Sequence, residues 1–236
     1  MIFYLRKYSI FFKSGCPESW ILIIHSNTIF VYGNNWNKNQ FDEISKSFDF
    51  SLFSNYPVSG ETSLINQLLE HYKIDNFRIE TERLFYRTNS VEAFSNINLE
   101  VLLPNEKDVN ILAKMLLQYY LEEYEGESKK TFIEMRSKIE EYISGERIYI
   151  LKNLNGNILS FCTINNPDIG IFFTRKEYRN KGYGKIILSF CSNLLLKRNA
   201  EIYLMTMRTK LESNTACKQV GFKQYFEYSS IRINNS

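Results

Sequence analysis

Apolar and polar positions alternate most regularly in the second half of the chain. Residues 97–103 form a short apolar run ending at Pro104, which predicts a strand, and Asn105 is placed to cap a helix from 106 to about 124. Val109, Leu112, Leu116 and the pair Tyr119/Tyr120 recur within it at helical period. A second helix over about 131–144 carries Phe132, Met135, Ile139 and Ile143 on one face and stops at Gly145. Strands over 148–151 and 158–163 flank Asn155-Gly156, the pair that best accepts the positive φ of a two-residue hairpin turn. After a strand over 169–174 comes a segment with two glycines, Arg179 to Gly184. Ile187, Phe190, Cys191, Leu194 and Leu195 then repeat at helical spacing. A strand over 202–207, a short helix over 213–220 stopped by Gly221 and a strand over 225–233 complete the order β-α-α-β-β-β-α-β-α-β.

The first ninety residues are less regular. They predict a hairpin (20–24 and 28–32), helices over 40–47 and 61–72, and a strand over 78–87. Tyr56-Pro57-Val58-Ser59-Gly60, followed by Leu64, Leu68 and Leu69, echoes the later strand, glycine and helix. The echo fits either a degenerate internal repeat or a small α/β extension. Residues 89–96 are polar and aperiodic, as a linker would be, so two regions are expected, 1–95 and 96–236.

Composition narrows the function classes. With 236 residues, 44% hydrophobic and 23% charged, the chain is an ordinary globular one, neither disordered nor fibrous. Lys and Arg number 29 against 26 Asp and Glu, a surplus too small to point to a nucleic-acid partner. Eighteen Phe and sixteen Tyr stand beside two His, which disfavours a His-rich metal site, and no metal is expected. Arg6 and Lys7 interrupt the apolar start, so no secretory leader is expected. No apolar run approaches the ~20 residues of a membrane span, and no membrane partner is expected. Cys16, Cys162, Cys191 and Cys217 form no CxxC pair and read as small buried hydrophobes in a reducing compartment, so a cytoplasmic location is expected.

The candidate chemistry lies in the glycine segment. A turn joining a strand to a helix leaves the first helical N–H groups without intrahelical partners, and Gly182 and Gly184 let a ligand come close to them. Arg175, Lys176, Arg179, Lys181 and Lys185 surround the turn with positive charge, so a pyrophosphate is the natural guest. A Walker-type loop is disfavoured because Gly184-Lys185 is followed by Ile186 and the earlier glycine is missing. A dinucleotide fingerprint is likewise incomplete. The remaining candidate is the pyrophosphate of coenzyme A.

Residues 169–228 resemble the GNAT superfamily of N-acetyltransferases, whose signature is a strand, then [QR]-x-x-G-x-[GA], then a helix. The order of elements above is also that of the GNAT mixed sheet. Ser213-Asn214 followed by Val220-Gly221-Phe222 is similar to the family's later helix ending in a Gly-aromatic pair. Phe172-Phe173-Thr174 through Glu177-Tyr178-Arg179 resembles a bacterial subgroup with an extended N-terminal half. The resemblance implies acetyl-CoA as acyl donor. Backbone groups of Phe172, Phe173 and Thr174 would hold the pantetheine and polarise the thioester, with Arg179, Asn180, Lys181, Gly182, Tyr183, Gly184, Lys185 and Asn214 around the rest of the cofactor. It further implies direct attack by the primary amine of a small molecule in a ternary complex. Candidate bases are Glu123 and Glu127, four apart at the end of the first helix, beside Tyr120 and Tyr124.

Two positions depart from the family pattern. Cys217 stands where a Tyr usually protonates the departing thiolate, and Lys210 where an Asn often contacts the coenzyme. Cys217 either serves as the acid, an unperturbed thiol having a pKa of ~8.5, or is a packed residue in place of a lost Tyr. These departures keep a second reading open, a non-catalytic acyl-CoA-binding module. A third, nucleic-acid binding through 175–185, has little net charge behind it. The acceptor carries no legible motif, and the oligomeric state, a homodimer included, stays open.

Overall fold

The computed structural model describes residues 2–5, 8–13, 20–25, 27–33, 38–47, 56–126 and 128–234. Along the chain run β1 (Ile2–Leu5), β2 (Tyr8–Lys13), β3 (Trp20–His25), β4 (Thr28–Gly33), α1 (Lys38–Ser47), β5 (Pro57–Glu61), α2 (Thr62–His71), β6 (Phe77–Thr88) and β7 (Leu99–Leu102). There follow α3 (Val109–Glu123), α4 (Phe132–Ser144), β8 (Ile148–Asn153), β9 (Ile158–Asn165), β10 (Asp168–Thr174), α5 (Tyr183–Leu196), β11 (Ile202–Met207), α6 (Leu211–Val220) and β12 (Lys223–Ile233). The fold is mixed α/β. It divides into two compact units, one of Met1–Leu84 with Met207–Thr209 and Phe226–Ser236, the other of Phe85–Thr206 with Lys210–Tyr225.

In the first unit β1 to β4 are an antiparallel meander, and β5 joins β4 in parallel, with Val31 opposite Gly60. A Cβ on Gly60 would meet the Val31 carbonyl oxygen at 2.5 Å, so this close approach needs glycine. Gly60 also pairs with Ser229 of β12 and lies inside the strand, and α2 begins directly after it. The sequence echo of the later glycine turn is therefore local wording with a different backbone: the glycine is closed on both sides by strands. Phe41 and Ile44 of α1 and Leu64, Ile65, Leu68 and Leu69 of α2 are buried with Leu22, Ile29, Val31 and Val58 in this unit's core.

In the second unit the strand order is β11-β10-β9-β8-β7. Its central strand β9 is buried at every position from Ile158 to Thr163, as a strand covered on both faces must be. Phe161 joins Val109, Leu112, Leu116, Met135 and Ile139 of α3 and α4 in one cluster. Cys162, on the opposite face by strand alternation, meets Cys191 of α5. Asn105 accepts from the Lys107 amide, but it caps a 3-10 turn (Glu106–Asp108) that leads into α3 at Val109 and not α3 itself; Thr131 accepts from the Glu134 amide at the start of α4, each within a capping box. Between β8 and β9 the turn is wider than the two residues expected, with 154–157 folded around Asn153, whose side chain accepts from the Asn155 and Asn157 amides. The expected linker is tied down: the Glu92 amide donates to the Val220 carbonyl, and Ser189 Oγ donates to the Glu92 carbonyl.

Candidate active site

Every residue of the site lies in the second unit, and its geometry starts from an irregularity in β10. Against β9, Ile169 faces Ile164 but Phe172 faces Cys162, so β10 carries one extra residue. The Ile171 amide donates to Thr163 Oγ1 at 2.7 Å, which plugs the bulge, and a Cβ on Gly170 would collide with that oxygen. Bulges bend a strand and sharpen its twist. On its other side β10 pairs with β11 in parallel at Asp168 and Tyr203 alone, and beyond that point the two strands part. Phe172, Phe173 and Thr174 thus border a slot.

The slot opens on the glycine turn. After a 3-10 turn over Lys176–Tyr178, Asn180 and Gly182 take the left-handed conformation with φ of 60° and 80°, and α5 begins at Tyr183. The Lys185 and Ile186 amides both donate to the Gly182 carbonyl, at 3.0 and 3.3 Å. The amides of Gly182, Tyr183 and Gly184 have no acceptor among the described residues, and no side chain caps the helix. Such a helix start favours an anion through both its donors and its dipole. Cationic stems are braced on rings: Arg175 and Lys181 lie over Tyr178, and Lys185 over Phe94. The resulting cleft of about 710 Å³ is lined by Phe172, Phe173, Thr174, Arg179, Asn180, Gly182, Tyr183, Gly184 and Lys185 on one side and by Tyr119, Glu122, Glu123 and Lys210 among others. Of the expected cofactor residues, Lys181 and Asn214 are not on its wall.

Arg179 is turned inward. Its Nε donates to the Thr174 carbonyl at 3.0 Å, its Nη2 reaches Glu122 Oε2 at 2.7 Å, and its guanidinium lies 5.2 Å from the centre of the Phe173 ring. Gln118 donates to the other Glu122 oxygen, and Lys210 Nζ donates to the Glu122 carbonyl at 2.7 Å. One residue thereby ties together the end of α3, the glycine turn and the start of α6. Sequence reasoning missed Glu122 because it is one acid among several at a helix end, and only the fold reveals its partners. The Arg179 and Glu122 side chains are 36% and 33% exposed, so the pair adds at most about 1 kcal/mol to stability. Its effect is positional. Glu122→Ala is expected to weaken pyrophosphate binding at the turn about tenfold, because a loosened turn misplaces the amides. Unchanged binding in calorimetric titration would remove that role.

The candidate acids separate clearly. Glu123 is half-buried on the cleft wall. Tyr120 and Tyr124, expected with it, are not on that wall; they stack on each other with ring centres 6.2 Å apart, and burial pushes the Tyr120 hydroxyl pKa up. Glu127 lies outside the described residues. Cys217 requires a correction. Its side chain is wholly buried, it does not reach the cleft, and burial pushes its thiol far above the usual range, so the packed reading applies. Cys217→Ser is expected to lower thermal stability and leave the pH profile of kcat unchanged; loss of an alkaline limb would restore the acid.

Asn214, expected beside the cofactor, is also turned inside. It is 6% exposed, and its Oδ1 accepts from the Tyr86 hydroxyl at 3.1 Å and, over a short distance, from the Thr206 hydroxyl. The side chain is a structural hub of the second unit.

No family model and no curated protein matches the sequence. Solved structures do match. An acetyltransferase of the GNAT family from Colwellia psychrerythraea superposes with a TM-score of 0.61 at 10% identity, covering 95% of this chain and 83% of that one. A GCN5-related N-acetyltransferase from Sphaerobacter thermophilus gives 0.61 at 10% identity, covering 98% and 82%. A tandem GNAT protein from the clavulanic acid biosynthesis pathway gives 0.53 at 9% identity, covering 97% and 84%. The chain has the fold of the GNAT acetyltransferases.

Proposed function

We propose that the protein is an acyl-CoA-dependent N-acetyltransferase acting on the primary amine of a small molecule. The observation that carries this is the set of unpartnered amides at Gly182, Tyr183 and Gly184, set at the mouth of the slot beside β10. In this reading the amides bind the cofactor pyrophosphate, with Lys185 adding charge, and the pantetheine extends along Phe172–Thr174. A backbone N–H there donates to the thioester oxygen as it becomes an oxyanion, an interaction worth ~3–4 kcal/mol in well-studied enzymes. Glu123 takes a proton from the incoming ammonium, directly or through water. The free amine attacks the carbonyl carbon, the C–N bond forms, and the C–S bond breaks as the tetrahedral intermediate collapses. With Cys217 enclosed, the second proton of the nitrogen is relayed through water to the departing thiolate; a thiol of pKa ~8.5 is a good enough leaving group for that. The three buried free cysteines, Cys162, Cys191 and Cys217, fit a reducing compartment such as the cytoplasm.

One observation favours the non-catalytic alternative: neither Cys217 nor Lys210 occupies the role its family counterpart plays, since Lys210 is bound to the Glu122 carbonyl. The purified protein, mixed with acetyl-CoA and a panel of amines while free thiol is followed, separates the two. Amine-dependent thiol release supports the enzyme. Stabilisation by CoA without any release would leave only a binding module, and no stabilisation would remove both.

A further inference from the structure

A second groove, of about 600 Å³, runs along α3 in the same unit. Lys107, Asn110, Lys114 and Gln118 line it from α3 and the turn before it, and Arg175 and Lys176 from the segment after β10. The spacing of 107, 110, 114 and 118 keeps these residues on one side of the helix. Ile111, Met115 and Phe173 supply an apolar side. The cations of the neighbouring α4 and β8 are paired: Arg136 with Glu140, Lys138 with Glu141 and Lys152 with Asp108. The ammonium groups of Lys107, Lys114 and Lys176 have no carboxylate partner among the described residues, and only Arg175 is paired, with Glu177. Glu177 also lines the groove, its carboxylate held by Arg175, so the three free ammonium groups leave the groove with a surplus of positive charge and one apolar side.

It also adjoins the acyl cleft. Phe173 lines both cavities. Gln118, at the end of the groove, donates to Glu122 on the cleft wall at 2.9 Å. An acceptor whose nitrogen reaches the slot near Phe173 and Glu123 can lay the rest of its body back along α3, where the lining is basic. Lys114 stands four residues, ~6 Å of helix, before Gln118. A polycationic amine would be repelled there, whereas an anionic group would be held.

We propose that this groove receives the acid end of the acceptor: the substrate is a small primary amine that carries a carboxylate or phosphate, separated from the reacting nitrogen by an apolar stretch of about one helical turn or more. The proposal rests on the acetyltransferase reading and adds to it the chemical class of the amine.

The test compares thiol release from acetyl-CoA with length-matched amines, 6-aminohexanoate against hexylamine and 6-aminohexyl phosphate against 6-aminohexanol. At least a tenfold higher kcat/KM for the anionic member of one or both pairs is expected, carried by KM. In Lys114→Glu/Lys176→Glu that preference should fall toward unity, while Lys114→Arg should keep it. Equal or better turnover of the uncharged amines, or a preference that survives charge reversal, overturns the proposal and leaves the acetyltransferase reading intact. If no amine is acetylated, that reading fails together with the acceptor assignment. Calorimetric titration of phenyl phosphate into CoA-saturated protein then judges the groove by itself: binding that charge reversal abolishes keeps it as an anion site, and no binding removes it.

Discussion

If acetyl-CoA binds as proposed, Gly182→Val is expected to abolish the thermal stabilisation it confers and to raise its KM by about two orders of magnitude. Gly182 has a φ of 80°, and an added Cβ would meet nothing closer than Lys185 Cε at 3.7 Å, so the obstacle is the backbone and not crowding. An L-residue in the left-handed region costs roughly 1–2 kcal/mol, and a β-branched one is a genuine outlier there. Relief of that strain turns the 182–184 amides away from a common point. Gly182→Ala, with the smaller penalty, should show an effect nearer tenfold. Thermal unfolding with and without acetyl-CoA checks both. A valine variant that keeps the full shift would show that the amides are not the anion site.

Asn214→Leu is expected to be the most destabilising substitution near the cleft while leaving acetyl-CoA affinity within about twofold. Leucine nearly preserves the volume but leaves the buried Tyr86 and Thr206 hydroxyls without their common acceptor. An unsatisfied buried polar group costs ~1–3 kcal/mol, so a loss of about 3 kcal/mol is expected for the pair. Denaturant unfolding measures the loss, and acetyl-CoA kinetics at low temperature measures the affinity. Intact stability with a large rise in KM would return Asn214 to the cofactor.

Local chemistry was readable in the sequence, and partnerships were not. The period of Val109, Leu112 and Leu116 is a property of one helix, and the cap at Asn105 of one turn; both appear in the structure, the cap on the 3-10 turn that leads into α3. The turn at Gly182 was readable for the same reason, since its φ is a demand on a single residue. Arg179 and Asn214 are polar residues at positions that invite a ligand, yet both are bound by residues far away in sequence, Arg179 to Glu122 on the cleft wall and Asn214 to Tyr86 inside the unit. No local pattern announces such pairs. The bulge in β10 likewise depends on Thr163 meeting Ile171 across a hairpin, and the parting of β10 from β11 follows from it. In the first unit the hairpin of β3 and β4 was legible, whereas β1 and β2 lay in a segment whose apolar residues raised the question of a leader.

The single-residue pairing of β10 with β11 has a consequence for amide hydrogen exchange. The inner edges of these strands behave as sheet edges enclosed within a folded unit, and a thin extended molecule carrying amide groups can serve as a short surrogate strand between them. Ligand binding there should slow exchange at Phe172–Thr174 and at the facing end of β11, with little change at β8 or β9. The same docking raises folding free energy by mass action, ~2.7 kcal/mol at a hundredfold excess over Kd. The unit would then owe part of its resistance to unfolding in the cell to the ambient level of its cofactor.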